Sequence, residues 1–305
     1  MEYLRRATHD ESDHERNDSL RRSLVYFKEA AAYISDAKLA SIFSVYRQNS
    51  FHVGILDLAL ERAQKIDPQS QGIIAFESPS SRNETTENLM ISRLNAYSYI
   101  FSALEDLIWI SKNGVPLGHI AIPNVTAYVN NVFDTALRSN DKLFHYRLYD
   151  WFLTQDLGDR LLTCETPYLI PYFEKYISDQ EKSLRFLHRF YLKKFEYLKA
   201  SKCLYQLAIL PSQTLTLNER VDYLSSASVN ARCGNADFEY LDDMTRVAAF
   251  QWRIRGILES ISYENHEARI AVQELDSRLY SYEEMKALYG SKFHCLNAVF
   301  NEIQN

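Results

Sequence analysis

What most constrains this chain is how seldom it is allowed to turn. Only 8 Gly and 7 Pro are spread over 305 residues, less than half of the about 12% that average usage supplies. Tight β-hairpins draw on Gly for positive backbone φ, and phosphate-cradling loops need it so that the backbone can approach the ligand. That shortage argues against turn-rich β folds, collagen-like or linker-like chains, and any nucleotide site built on a glycine-rich loop. It leaves long apolar-periodic segments separated by a few breakers.

The periodicity of those segments is helical. Apolar residues recur every three or four positions from Leu20 onward, the spacing of one face of an α-helix. A helix is expected from about Ser19 to Ile34. A second covers about Ala37 to Arg47, with Ser35-Asp36 supplying the N-cap. A third, carrying Ile55, Leu58 and Leu60, stops at Asp67-Pro68, because proline disfavours helix in the residue before it. Residues 67–88 are polar and rich in breakers and read as a loop or surface insertion. A long helix with Leu94, Tyr97, Phe101, Leu104 and Ile108 on one face then runs to Asn113-Gly114. After a connector from Val115 to Pro123, Asn124 caps the next helix. Later breaks fall at Gly158, Pro167, Pro211 and Gly234, and Ser281 with Glu284 forms a capping box. Gly54 and Gly256 fall inside helices, where close packing would call for them, and Ser291 to Asn305 reads as a helix without a stop.

The expected fold is therefore all-α, an irregular α-solenoid of antiparallel helix pairs over residues 19–305. It is preceded by a mobile charged arm over residues 1–18, whose six acidic and three basic side chains show little apolar periodicity. The 21 Tyr, 16 Phe and 3 Trp mean that much of the core consists of rings, with many hydroxyls needing partners.

Composition also narrows the chemistry. A net charge of −6 provides no global attraction for nucleic acid or an anionic membrane, so either partner would need a local patch. The N-terminal stretch has no apolar core of the signal-peptide kind, and no window offers 18 consecutive apolar residues. Cys164, Cys203, Cys233 and Cys295 are at least 30 residues apart, so no zinc-ribbon or thioredoxin-type pair exists. They read as reduced, mostly buried thiols.

Candidate catalytic or metal constellations each lack a required member. His14-Glu15 and His266-Glu267 begin an H-E-x-x-H pattern, but Asp18 and Ile270 stand where the second histidine belongs. Asp242-Asp243 starts an aspartate-rich magnesium motif that Arg246 interrupts with the wrong charge. No catalytic site, cofactor site or small-molecule substrate is expected, and the chain reads as a non-enzyme.

The strongest charge feature lies between Glu181 and Lys202. Lys182, Arg185, Arg189 and Lys193 recur at helical spacing and form a positive stripe, joined by Lys194, Lys199 and Lys202. A solvated helix face is the first reading of this stripe; it is also the candidate partner-binding surface, for an acidic peptide or, as the alternative function, for RNA or anionic lipid. Phe186, Phe190 and Tyr197 sit off the stripe, at positions that would face neighbouring helices.

Residues 143–178 resemble the α-helical region of the nucleoporin 155/170 family. The resemblance rests on Leu143-Phe144, Leu148-Tyr149-Asp150-Trp151, Asp159, Leu161-Leu162 and a helix start at Pro167 and Pro171. Weaker similarity follows in collinear order at 44–68, 93–100, 218–232, 250–258 and 285–293, so that residues 20–295 are covered. It implies a middle section of a solenoid in a much longer protein whose membrane-binding element lies in an N-terminal β-propeller. The implied role is a structural scaffold of the nuclear pore inner ring, at the nuclear envelope, supporting nucleocytoplasmic transport. The implied partners are other nucleoporins, both inner-ring and linker, with no membrane contact through this segment and nucleic acid only as the rival reading.

Overall fold

The structure, a computed structural model, describes residues 2–3, 13–78, 80, 82–212 and 214–302. Among them there is no strand: helices follow one another, joined by short turns. The chain divides into two units. Unit 1 comprises residues 1–160 and 164–169, and unit 2 residues 161–163 and 170–305.

Unit 1 contains α1 (Asp13–Glu29), α2 (Asp36–Gln48), α3 (His52–Ile66), α4 (Gly72–Glu77), α5 (Glu84–Asn113), α6 (Val125–Leu137) and α7 (Lys142–Thr154). The 30-residue α5 is the spine, packed by α3, α4, α6 and α7. It starts where Asn83 and Thr86 form a reciprocal capping box and stops at Gly114, whose φ of +86° suits glycine. Its buried face carries Ala96, Tyr97, Ile100, Leu104 and Leu107.

Three expectations need correction in this unit. The arm is shorter than residues 1–18: α1 is already helical at Asp13, Arg16 is buried, and Tyr3 stacks on Tyr26 at 5.6 Å, while residues 4–12 lie outside the described residues. The first helix ends at Glu29 instead of Ile34. A 3-10 turn over Ala31–Tyr33 follows, and the carbonyls of Ala31 and Ile34 accept hydrogen bonds from Arg62. The loop expected over 67–88 contains α4, whose first backbone N–H groups are received by Asp67. A Cβ on Gly72 would come within 2.9 Å of the Met90 backbone, so glycine is what lets α4 lie against α5.

Arg93 ties this unit together from inside. It is 3% exposed and donates to Asp67 at 3.0 Å, Asp141 at 2.5 Å and the Tyr97 hydroxyl at 2.9 Å. Asp67 follows the last residue of α3 and receives α4, and Asp141 is the N-cap of α7. A single side chain on α5 thus holds three helix ends.

His52 is buried at the start of α3. Tyr128 donates its hydroxyl proton to the Ser50 carbonyl, so the 3.0 Å contact makes His52 Nδ1–H the donor to that oxygen. Burial, reinforced by Arg47 and His119, pushes the His52 pKa down from 6.5 to about 4. Within that window the unfolded chain binds a proton that the folded chain refuses, so stability falls as pH falls. The expected loss between pH 7 and pH 4 is about 3 kcal/mol. Burial lowers His145 in the same sense, whereas burial raises the Asp57 carboxyl, which works against the trend. Urea midpoints at pH 7 and 4.5 should show the drop, and His52→Phe should flatten it. An equal drop in the variant would rule out His52 as the cause.

Unit 2 contains α8 (Leu169–Lys175) beyond its first residue, α9 (Gln180–Lys193), α10 (Tyr197–Ile209), α11 (Leu217–Cys233), α12 (Glu239–Ile261), α13 (His266–Ser277), α14 (Tyr282–Met285) and α15 (Asn297–Glu302). From α9 to α13 each helix packs on the next across a short connection, which turns neighbours antiparallel. Thr216 with Glu219, and Ser281 with Glu284, form capping boxes, and Asp179 and Asn265 cap α9 and α13. The last part departs from the uninterrupted helix expected after Ser291. A π-turn over Lys286–Gly290 and a 3-10 turn over His294–Leu296 instead bring Tyr289, Phe293, Leu296 and Phe300 onto Ile254 and Leu258.

Gly54 and Gly256 are both helical, but only Gly54 is closely packed. A Cβ there would meet the Phe51 ring at 2.3 Å, whereas around Gly256 nothing lies within 4 Å. Gly256→Ala is therefore expected to stabilise unit 2 by about 1 kcal/mol, since alanine is the better helix former. A lower unfolding midpoint for this variant would contradict that account.

Candidate partner-docking groove

A groove of about 650 Å³ opens in unit 2 between the end of α10, the outer face of α12 and the segment from Arg278 to Glu283. Tyr240, Met244, Val247 and Ala248 come from successive turns of α12, the i, i+4, i+7, i+8 spacing that puts them on one stripe. Ile209 and Pro211 form one wall and Leu279, Tyr280 and Tyr282 the other, while Asp243, Arg278 and Glu283 mark the rim. The Tyr240 ring is largely exposed, and its hydroxyl meets that of Tyr205 at 3.2 Å. Arg278 lies over the Tyr280 ring at 3.9 Å and pairs with Glu284 at 3.2 Å, which fixes that corner.

Two wholly buried polar side chains brace the walls. Arg220 of α11 donates to the carbonyls of Ala208 (2.8 Å), Leu210 (2.6 Å) and Ser212 (3.0 Å) on one side, and of Asp276 (3.4 Å) and Ser277 (2.7 Å) on the other. Gln251 of α12 donates to the carbonyls of Leu275 and Arg278 and accepts from the Tyr280 N–H at 2.8 Å. Helix C-termini leave carbonyls without partners inside the helix, and Arg220 satisfies those of α10 and α13 together. Both walls are thereby held apart at a set distance, so the groove is largely pre-formed.

Neither residue is anticipated by a motif. The available signal was a polar residue in the buried phase of a helix. Arg220 shares its face with Leu217, Leu224, Ala227 and Ala231, and Gln251 shares its face with Ala248, Ile254 and Leu258.

The basic stripe occupies a different surface of unit 2. Lys182, Arg189 and Lys193 are exposed on α9 and Arg185 is half-buried. Part of the charge is already matched. Lys182 pairs with Asp179 at 3.4 Å, and Arg185 pairs with Glu181 at 2.9 Å and Glu219 at 3.3 Å while lying over the Tyr223 ring. Phe186 and Phe190 are buried, and Phe186 stacks on Phe173 at 3.9 Å, so the rings serve the core and not the stripe.

The near-miss motifs are engaged elsewhere. Asp242 accepts from Ser228 and Arg232, which holds its carboxyl below the usual range, and Asp243 pairs with Arg246. Cys164 and Cys203 are buried, but Cys233 and Cys295 are exposed, so only half of the thiols follow the expectation.

The sequence matches the family described as non-repetitive/WGA-negative nucleoporin C-terminal over residues 1–300. Similar curated proteins include the probable nucleoporin C890.06 of Schizosaccharomyces pombe, 29% identical over 76% of this chain and 17% of that protein. Nucleoporin NUP170 of Saccharomyces cerevisiae is 24% identical over 70% of this chain and 14% of its own length. Nup154 of Drosophila melanogaster is 23% identical over 96% of this chain and 23% of its own. The chain thus spans less than a quarter of these relatives. The Nup170 CTD of Chaetomium thermophilum, solved in complex with Nup145N, superimposes with a TM-score of 0.76 at 20% identity, covering 90% of this chain and 54% of that one. The same domain alone gives 0.76 at 21% identity over 95% of this chain and 53% of its own.

Proposed function

The chain belongs to the family of non-repetitive, WGA-negative nucleoporin C-terminal domains, and from that premise we propose that it is a structural, non-catalytic segment of the nuclear pore scaffold. It binds short linear segments of other nucleoporins, inner-ring and linker nucleoporins alike, at the nuclear envelope, and so supports nucleocytoplasmic transport. The observation that carries this reading is the braced groove of α12, lined mainly by apolar side chains, with the Tyr240 ring largely exposed at its edge. A pre-formed apolar groove with a polar rim is what a short peptide needs to bind without a large ordering cost. The complex formed by the structurally similar Nup170 CTD with Nup145N supports the partner class. No helix among the described residues is long and apolar enough to cross a membrane.

Peptides tiled across linker nucleoporins and titrated by fluorescence anisotropy provide the test. Met244→Glu is expected to weaken binding at least 10-fold, a loss of about 1.4 kcal/mol, with helicity unchanged because Met244 lies on the open face. Arg189→Glu combined with Lys193→Glu should leave peptide binding intact. Unchanged affinity in Met244→Glu would remove the groove from the reading. RNA or vesicle binding that falls steeply with salt, and disappears on charge reversal of the stripe, would transfer the function to the stripe.

A further inference from the structure

A second cleft, of about 440 Å³, lies in unit 1 between α1, α3, the start of α5 and the α6–α7 connection. It is polar where the groove of unit 2 is apolar, and most of its charges are already spent. Arg93 is divided between Asp67, Asp141 and Tyr97. Lys28 pairs with Glu61 at 3.5 Å, which also receives Lys65 at 3.8 Å. Two groups are left over. The carboxylate of Asp57, half-buried on α3, makes no hydrogen bond or ion pair among the described residues, and neither does the exposed guanidinium of Arg138.

An unmatched carboxylate in a partly desolvated site costs stability and contributes nothing to packing. Burial indeed raises the Asp57 carboxyl pKa, with Lys28 only partly offsetting it. Groups that weaken a fold without holding any part of it tend to serve a ligand. The ligand needs a positive group for Asp57 and a negative group for Arg138, in a space of the size that small ligands and side chains fill. A phosphate-rich partner fits poorly, because Asp57, Glu61 and Asp141 all face the cleft. A metal ion fits no better, since no group of three or more His, Cys, Asp or Glu side chains among the described residues could hold one.

We propose that this cleft docks a short segment of a partner protein carrying one basic and one acidic side chain, the basic one seated on Asp57 and the acidic one on Arg138. The site is separate from the groove of unit 2 and does not depend on it.

The test uses the full chain and the capped peptides acetyl-Arg-(Ala)n-Glu-amide with one to three alanines, titrated by NMR at low salt. Matched peptides carrying Gln in place of both charged residues serve as controls. At least one charged peptide is expected to bind with a Kd no weaker than about 1 mM, and its Gln counterpart at least 10-fold more weakly. Asp57→Asn and Arg138→Gln should each weaken the charged peptide at least 10-fold. Asp57→Asn should at the same time leave the thermal midpoint unchanged or raise it. The proposal is overturned if no charged peptide binds, if the neutral peptides bind equally well, or if Asp57→Asn lowers the midpoint and so reveals a structural carboxylate.

Discussion

Replacing Arg220 by Met is expected to cost unit 2 about 3–5 kcal/mol, because several buried carbonyls lose a charged hydrogen-bond donor at once. The reason is geometric. No carboxylate pairs with Arg220 among the described residues. Its five hydrogen bonds go to carbonyls that terminate α10 and α13 and that begin the connections beyond them. Each helix end carries roughly half a negative charge, so two converging ends stand in for a counter-ion. Desolvation nevertheless lowers the Arg220 pKa, outweighing the more distant Asp276, Glu181 and Glu219. Methionine fills much of the volume but takes this donor from the carbonyls of Ala208, Leu210, Ser212 and Asp276, while Ser277 keeps the Ser212 N–H at 3.3 Å; the cost is about 1–3 kcal/mol for each carbonyl that water cannot reach. Lysine, with three donors on one nitrogen, should recover only part of the loss. Against a total stability of about 5–15 kcal/mol, the methionine variant should unfold at much lower urea. A loss under about 1 kcal/mol would mean that water replaces the guanidinium freely and that the brace is not structural.

Arg93→Met should have an effect of similar size in unit 1 for a different reason. Here the cation is matched by two carboxylates, and removing it leaves Asp67 and Asp141 charged beside each other with side chains only 2% and 13% exposed. Breaking a buried pair from one side costs about 3–5 kcal/mol, whereas replacing all partners together costs less. Adding Asp67→Asn and Asp141→Asn to Arg93→Met should therefore restore part of the lost stability. In Asp141→Asn the amide oxygen can still receive the Phe144 N–H, and Asn is as good an N-cap as Asp, whereas in Asp67→Asn it can receive only one of the Gln71 and Gly72 N–H groups that Asp67 now holds, so the recovery is partial. Chemical denaturation of the single and triple variants measures this coupling directly. A triple variant less stable than Arg93→Met would show that the carboxylates act independently of the arginine.

Both residues show how far sequence reading reached. The long helix ending at Asn113-Gly114, the N-cap at Asn124 and the capping box at Ser281 were legible because each depends on residues within one turn of the helix end. The 3-10 turn after Glu29 was not, since it rests on Arg62, roughly 30 residues away in sequence. Helix α4 was hidden for the same reason. Its sequence, Gly-Ile-Ile-Ala-Phe-Glu, is short, and the pattern around it is polar. It exists because Asp67 receives its N-terminus and α5 covers its apolar face. The candidate sites divide along the same line. The basic stripe could be found from spacing alone, but the ion pairs that spend part of its charge come partly from Glu219 on α11.

Read alone, the residues were enough to establish an all-α chain, to place most of its helix breaks and to bring out the family it resembles. Those properties follow from local periodicity, capping residues, the scarcity of Gly and Pro, and collinear motifs. What the helices enclose depends on how they pack. Arg93, Arg220 and Gln251 sit in the apolar phase of their helices, and a linear pattern registers them only as interruptions. Packing places each one where several helix ends converge and turns it into a brace. The groove over α12 and the cleft beside Asp57 arise in the same way, from side chains far apart in the chain brought to one place. No local rule encodes them, because the energy that selects them belongs to the packed helices together.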